Sequence, residues 1–307
     1  MLYRPLGRTG LRVSEIGFGA ASWWGKPQFS EAAAVELVHA AIDGGVTLFD
    51  TGSSYSGGQA EPRLGRALKG RDASRLIVAT KAGTFAAGGR VGRDFSPAAI
   101  VASAERSLRN LGLEVLPLLQ LHGPASAELT DELLAALQEL KARGLVRALG
   151  VNSFDPAVID HVIGLPDFDV VMVDYNVLRP ERAPLIARAA AAGKGVLAGM
   201  PLAMGHIGGR IMRLRAPRDI WYAARGLLRH RREVREGARF GFLNRLSGIT
   251  GAQAALAYVL ADPNVACAVT GATRLAHLRE NLVASGLTLP APAMAAIRAR
   301  QAGGLSG

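Results

Sequence analysis

Between Glu15 and Ala284 the chain makes one move eight times: a short, continuous apolar run ends in a polar or glycine-rich stretch, and a segment with helical spacing follows. The runs are Glu15–Gly19, Leu48–Asp50, Leu76–Lys81, Leu116–His122, Arg147–Asn152, Val170–Tyr175, Gly195–Gly199 and Cys267–Gly271. Helices are expected from the cap Ser30 to Asp43, then over Glu61–Leu68, Pro97–Asn110 with Ser96 as cap, Asp131–Arg143, Pro156–Ile163, Glu181–Ala192, Gly251–Leu260 and Leu275–Ala284. Apolar runs without alternation mark strands covered on both faces, by helices outside and by a filled interior within. Eight such units in 307 residues predict a single-domain (β/α)8 barrel, the TIM architecture, over residues 1–307. Short alternating runs around Gly7-Arg8-Thr9-Gly10 predict a β-hairpin before the first unit.

An open, doubly wound sheet is the structural rival. Its phosphate fingerprint would fall on Gly17-Phe18-Gly19-Ala20-Ala21-Ser22, where the third glycine is missing, so the match is weak.

Hydrophobic residues make up 49% of the chain, ample for a large core. No apolar run reaches membrane-spanning length without a charge or turn signal. The single cysteine, Cys267, excludes an internal disulfide and a cysteine pair for metal. A cytoplasmic protein is the simplest expectation.

In such a barrel the reacting groups come from the C-terminal ends of the strands. Those ends carry Asp50 and, five residues on, Tyr55; then Lys81; then His122. Each has an ordinary alternative: a turn cap, a surface aromatic, a solvent-facing lysine, a core histidine. Their occurrence at consecutive strand ends favours chemistry. A phenol with a pKa near 10 is a poor acid or base at neutral pH. A nearby ammonium lowers that pKa, a carboxylate orients the ammonium, and an imidazole can bond the reacting oxygen. The set suits proton delivery to a carbonyl oxygen or removal from an alcohol, and needs a nicotinamide for the hydride.

The stretches LGRTGLRVSEIGFG, FDTGSSY with AEPRLGRAL, IVATKAG, LLQLHGP, GLVRALGV, PLAMG and GATRLAHLREN follow one another along nearly the whole chain. In this order they resemble the aldo-keto reductase superfamily, and PLAMG is similar to that of its L-galactose dehydrogenase-like branch. The resemblance implies an NAD(P)H-dependent oxidoreductase acting on an aldehyde, ketone or sugar lactol or lactone. Asp50, Tyr55, Lys81 and His122 would form the catalytic tetrad, with Tyr55 the general acid/base. It places the cofactor on Asn152, Ser153 and Met172, on Pro201, Leu202, Ala203 and Gly205, and on Gly271, Thr273, Arg274, His277, Glu280 and Asn281. Arg274, helped by His277, would meet an adenosine 2′-phosphate, which favours NADP(H) over NAD(H). The chain departs from the family in the order Asn152-Ser153, in Met172 for a glutamine, and in Gly199 and Met200 where an aromatic or serine is usual. These departures imply a nicotinamide ring held less tightly. A non-catalytic, cofactor-holding regulatory protein on the same barrel is the alternative.

Trp23 and Trp24 follow the first strand and are expected as walls of the substrate pocket, or as packing against the next helix. Residues 206–250, after the seventh strand, hold eleven arginines against three acids, a local excess of eight within a net charge of +11. This basic insertion is expected as a flap. It is read as a solvated face, as a binder of an anionic substrate, or as a nucleic-acid surface. No helix-turn-helix, zinc or RNA-binding signature supports the last.

Overall fold

The computed structural model describes residues 1–72, 74–203 and 231–303. It opens on the expected hairpin, β1 (Tyr3–Pro5) antiparallel to β2 (Arg12–Ser14). Leu6, Leu11 and Val13 share one buried cluster with Leu48, Leu118, Val170, Leu197 and Cys267, so the hairpin plugs the N-terminal end of the barrel. Gly7, at φ +55°, runs so close to a barrel strand that a Cβ there would lie 2.2 Å from the Gly195 nitrogen. Only glycine combines that conformation with that approach.

The strands that follow are β3 (Ile16–Gly19), β4 (Leu48–Asp50), β5 (Ile77–Ala82), β6 (Thr84–Ala87), β7 (Arg90–Arg93), β8 (Leu116–His122), β9 (Val146–Asn152), β10 (Val170–Asp174), β11 (Gly195–Gly199) and β12 (Cys267–Thr270). All but β6 and β7 close into an eight-stranded parallel barrel in the order β3-β4-β5-β8-β9-β10-β11-β12. The barrel reading holds, and the open sheet is excluded.

The helices are α1 (Glu31–Asp43), α2 (Ala60–Leu68), α3 (Pro97–Leu111), α4 (Asp131–Ala142), α5 (Pro156–Ile163), α6 (Ala183–Ala191), α7 (Arg231–Ala238), α8 (Gly251–Leu260), α9 (Leu275–Leu282) and α10 (Ala291–Ala302). Ser30 and Ser96 cap α1 and α3 as their positions predict, each accepting from the backbone N–H three residues on. Helix α1 buries Ala34, Leu37, Val38 and Ala41, one stripe at helical spacing. Burying each large aliphatic side chain contributes roughly 1.5–3 kcal/mol. No helix among the described residues is long and apolar enough to cross a membrane.

Two elements go beyond the sequence reading. The C-terminal helix α10 adds to the outer layer, and β6 and β7 form a separate two-stranded hairpin. The hairpin turns on Gly88-Gly89, both at positive φ, the conformation its tight loop needs. Of the basic segment 206–250, residues 206–230 lie outside the described residues. At its far end Phe240 and Leu243 are buried in the main core, and Arg300 and Arg239 exchange bonds to each other's carbonyls at 3.0 and 2.7 Å. That end of the expected flap is thus part of the packed wall.

Candidate active site

Parallel register carries the polar strand ends to one mouth. Gly19 pairs with Asp50, Asp50 with Ala79, Lys81 with Gln120, and His122 with Asn152, which in turn pairs with Met172. Fully buried Lys81 donates from Nζ to both Asp50 carboxylate oxygens at 2.6 Å and to the Thr51 carbonyl at 2.9 Å. Gln120 donates from Nε2 to Asp50 Oδ1 at 3.2 Å. The Lys81 ammonium lies 4.9 Å from the centre of the Tyr55 ring. That ring meets His122 edge-on, with centroids 5.3 Å apart. The four strand-end residues of the sequence reading are therefore neighbours.

Burial decides the electrostatics of this cluster. Burial alone would push the Lys81 ammonium toward deprotonation, yet the charges and hydrogen bonds of Asp50 and Tyr55 together outweigh it and the pKa ends above its ordinary value. Burial also lifts the Asp50 carboxyl, against the pull of Lys81 and Gln120. With two 2.6 Å bonds between them, the charged pair is the state the geometry supports. For Tyr55 the outcome differs from the sequence expectation. Lys81 does pull its pKa down, but burial outweighs that and leaves it raised. A half-buried phenol walled in by protein atoms resists becoming an anion more than one ammonium beside it can offset. Tyr55 therefore rests as a protonated acid.

Burial first, then the charges of Lys81 and Arg93, hold the His122 imidazole down from 6.5 to about 3. An unfolded histidine takes up its proton below about pH 6.5. Between these values the unfolded chain binds more protons than the folded one. His122 thus contributes stability that is complete above pH 6.5 and drains away as pH falls toward 3. Urea titrations of the parent and His122→Gln at several pH values between those limits check this. The parent should lose stability faster than the variant on acidification; parallel curves would exclude it.

The loops at the same mouth are strained. Among the described residues the non-glycine positions with positive φ are Ser22, Ser56, Met200 and Ala203, and all follow barrel strands. Specific bonds brace them: Ser56 Oγ donates to the Ser22 carbonyl at 2.8 Å, and the Asn176 amide donates to the Met200 carbonyl at 3.1 Å. Backbone strain of this kind costs about 1–3 kcal/mol each and gathers at functional sites.

The residues assigned to a cofactor are more scattered. Asn152 is buried at the mouth, and its amide has no partner among the described residues. Ser153 accepts from the Asp155 N–H at 3.2 Å, and Met172 belongs to the buried barrel-interior cluster. Pro201 and Ala203 are buried, Leu202 is half-buried, and Gly205 lies outside the described residues. Gly271 is exposed just past β12; Thr273 and Arg274 are half-buried before α9, and His277 is exposed on it. Arg274 occupies the α9 N-cap, and no side chain caps that helix. Glu280 is half-buried. Asn281 is buried and donates to Thr270 Oγ1 at 3.2 Å, which ties α9 to β12.

Of the two tryptophans only Trp23 is left as a candidate pocket wall. Trp24 is 1% exposed, packs edge-on against Phe18 with centroids 6.0 Å apart, and lies in the main core. The 3-10 turn Ser22–Gly25 sends successive side chains in different directions, so two adjacent indoles cannot share one wall.

Sequence reasoning missed Gln120, Thr84 and Ser54. Gln120 stands two residues before His122 on the same inward face, a signal readable from strand periodicity. Thr84 and Ser54 lie in loop and hairpin segments, and only the folded chain brings them to His122.

Fold and mouth together define a class: a (β/α)8-barrel protein with a carboxylate, an ammonium, a phenol and an imidazole gathered at the C-terminal face. The model of the aldo/keto reductase family matches residues 15–301. The chain belongs to that family and is an oxidoreductase. It is 29% identical over 298 residues to the uncharacterized oxidoreductase YqkF of Bacillus subtilis, covering 93% of this chain and 91% of that protein. It is 29% identical over 295 residues to L-galactose dehydrogenase of Arabidopsis thaliana, covering 92% and 87%. Aldo-keto reductase AKR11C1 of Bacillus halodurans, in its holo form, superposes with a TM-score of 0.80 at 29% identity, covering 98% of this chain and 96% of that one.

Proposed function

We propose that the chain interconverts a carbonyl and an alcohol with a nicotinamide dinucleotide, using Tyr55 as the proton donor and acceptor. The observation that carries this reading is the buried Lys81 ammonium. It is clamped to Asp50 by two 2.6 Å bonds and held 4.9 Å from the Tyr55 ring. Tyr55 passes its proton to the carbonyl oxygen in reduction and takes it back in oxidation. Lys81 stabilises the phenolate left behind, and Asp50 keeps Lys81 charged and aimed. His122, edge-on to Tyr55, bonds the reacting oxygen. Hydride chemistry at the carbon is what a nicotinamide supplies when bound.

The residues present fit such a cofactor. Asn152 offers an unpartnered amide at the mouth. At buried Gly199 a Cβ would fill the gap beside the Val173 carbonyl at 3.4 Å and the ring of Phe154 at 3.5 Å, an aromatic that is 44% exposed. Helix α9 presents an uncapped N-terminus, a ready site for an anionic phosphate. Arg274 beside it has no ion-pair partner among the described residues, which favours NADP(H) over NAD(H). The lone thiol, buried Cys267, suits a cytoplasmic setting.

The test is a screen of aldehydes, ketones and sugar hydroxyls followed at the nicotinamide absorbance band. Turnover supports the reading. Cofactor binding without turnover of any of them would leave the regulatory alternative. For the cofactor, Arg274→Ala should weaken NADPH binding by about 2 kcal/mol, the scale of a charged hydrogen bond, and barely affect NADH. Tryptophan-fluorescence titrations measure both, and equal losses would contradict the assignment.

A further inference from the structure

The hairpin of β6 and β7 is pressed against the site by contacts that leave it little freedom. Gly83, at φ +92°, sits so close to Phe95 that a Cβ there would lie 2.2 Å from the ring. Arg93 stacks on Phe95 at 5.1 Å and donates to the carbonyl of Gly123, the residue after His122, at 3.0 Å. Ser53 Oγ bonds the carbonyls of Lys81 and Thr84 at 2.8 and 2.7 Å. Together they hold the Thr84 hydroxyl 2.7 Å from His122 Nδ1, with the Ser54 hydroxyl 2.9 Å behind it.

We propose that Thr84, backed by Ser54, fixes the His122 imidazole in its Nε2–H tautomer and so makes it a hydrogen-bond donor at the barrel mouth. Thr84 is a positioning residue in this scheme, and the inference rests on the oxidoreductase reading above. The direction of the chain follows from counting partners. Thr84 Oγ1 is the one bonded partner of Ser54 Oγ among the described residues. If Nδ1–H donated to Thr84, Thr84 would donate to Ser54, and the proton of a buried Ser54 would have no acceptor. In the opposite direction Ser54 donates to Thr84, Thr84 donates to Nδ1, and no proton is stranded. A stranded buried donor is rarer and more costly than an underused oxygen lone pair. With Nδ1 accepting, a neutral imidazole carries its proton on Nε2. That proton can bond a substrate oxygen beside the Tyr55 phenol, whereas the other tautomer would turn a lone pair toward it.

The experiment reads the tautomer directly, by proton–nitrogen NMR of the isotopically labelled imidazoles at neutral pH without substrate. The His122 signals are assigned by their loss in His122→Gln. The parent should show the Nε2–H pattern, and Thr84→Ser should keep it. Thr84→Val should show the Nδ1–H form or a mixture, and so should Thr84→Ala, which serves if Thr84→Val does not fold. An Nδ1–H pattern in the parent, or an unchanged pattern in the variant that removes the Thr84 hydroxyl, would overturn the inference. Because this readout needs no turnover, it stands or falls apart from the oxidoreductase reading. In steady-state kinetics Thr84→Val should lower kcat about tenfold, the rate equivalent of one hydrogen bond, with Thr84→Ser restoring it. Equal kcat for parent and Thr84→Val, in an enzyme that turns over, would also count against it.

Discussion

Replacing Tyr55 with phenylalanine should lower turnover by at least roughly a hundredfold, the usual scale for losing a general acid, while leaving NAD(P)H affinity nearly unchanged. The ring would remain to pack edge-on against His122 and beside the Lys81 ammonium, so the cavity keeps its shape. Only the acidic proton is lost. Because burial holds the Tyr55 pKa above its ordinary value, the parent phenol should stay protonated across the neutral range and should favour the reductive direction there. Steady-state kinetics in both directions, with fluorescence titration of the cofactor, measure all of this. Near-normal turnover in Tyr55→Phe would remove the mechanism.

Lys81→Met should cost about 3–5 kcal/mol of stability as well as activity, because it strands the Asp50 carboxylate in the barrel interior without its counter-charge. The pair is buried, with side-chain exposures of 0% for Lys81 and 7% for Asp50. Removing both charges together should do far less harm to folding, since apolar replacements of a buried pair are often neutral or stabilising. The double variant Asp50→Val/Lys81→Met should therefore recover most of the lost stability and none of the activity. Urea midpoints at matched slopes report the first and turnover the second. A double variant as unstable as the single one would mean that the pair is needed for packing in its own right.

The barrel was legible because its signal is repeated. Eight continuous apolar runs, several followed by helices with caps such as Ser96 before Pro97, leave few other ways to bury so much surface. The four candidate site residues were legible for a related reason: each ends one of those runs or closely follows it, and parallel register delivers strand ends to one face. What escaped depended on contacts between distant segments. The β6–β7 hairpin has only the Gly88-Gly89 pair as a local sign, and its docking through Gly83 and Phe95 has no period to read. Trp23 and Trp24 are identical in sequence terms, and only the turn of the chain sends one into the core. The raised pKa of Tyr55 follows from the loss of water around its phenol in the folded mouth, which spacing cannot report.

The hairpin at the other end of the barrel bears on the order in which the chain can finish folding. Leu6 packs against Gly195, and Arg4 donates to the Val265 and Leu260 carbonyls at 2.7 and 2.8 Å. Arg4 thus bonds to residues made more than 250 positions later on the ribosome. Contacts of such wide sequence separation carry a large loop-closure cost and form late. Until Val265 has emerged, Leu6, Leu11 and Val13 have no completed floor to fill, and the nascent barrel stays open beneath. We expect the plug to act as a clasp: its closure joins the hairpin to the segment that leads into β12 and turns a stack of strand-helix units into one cooperative body.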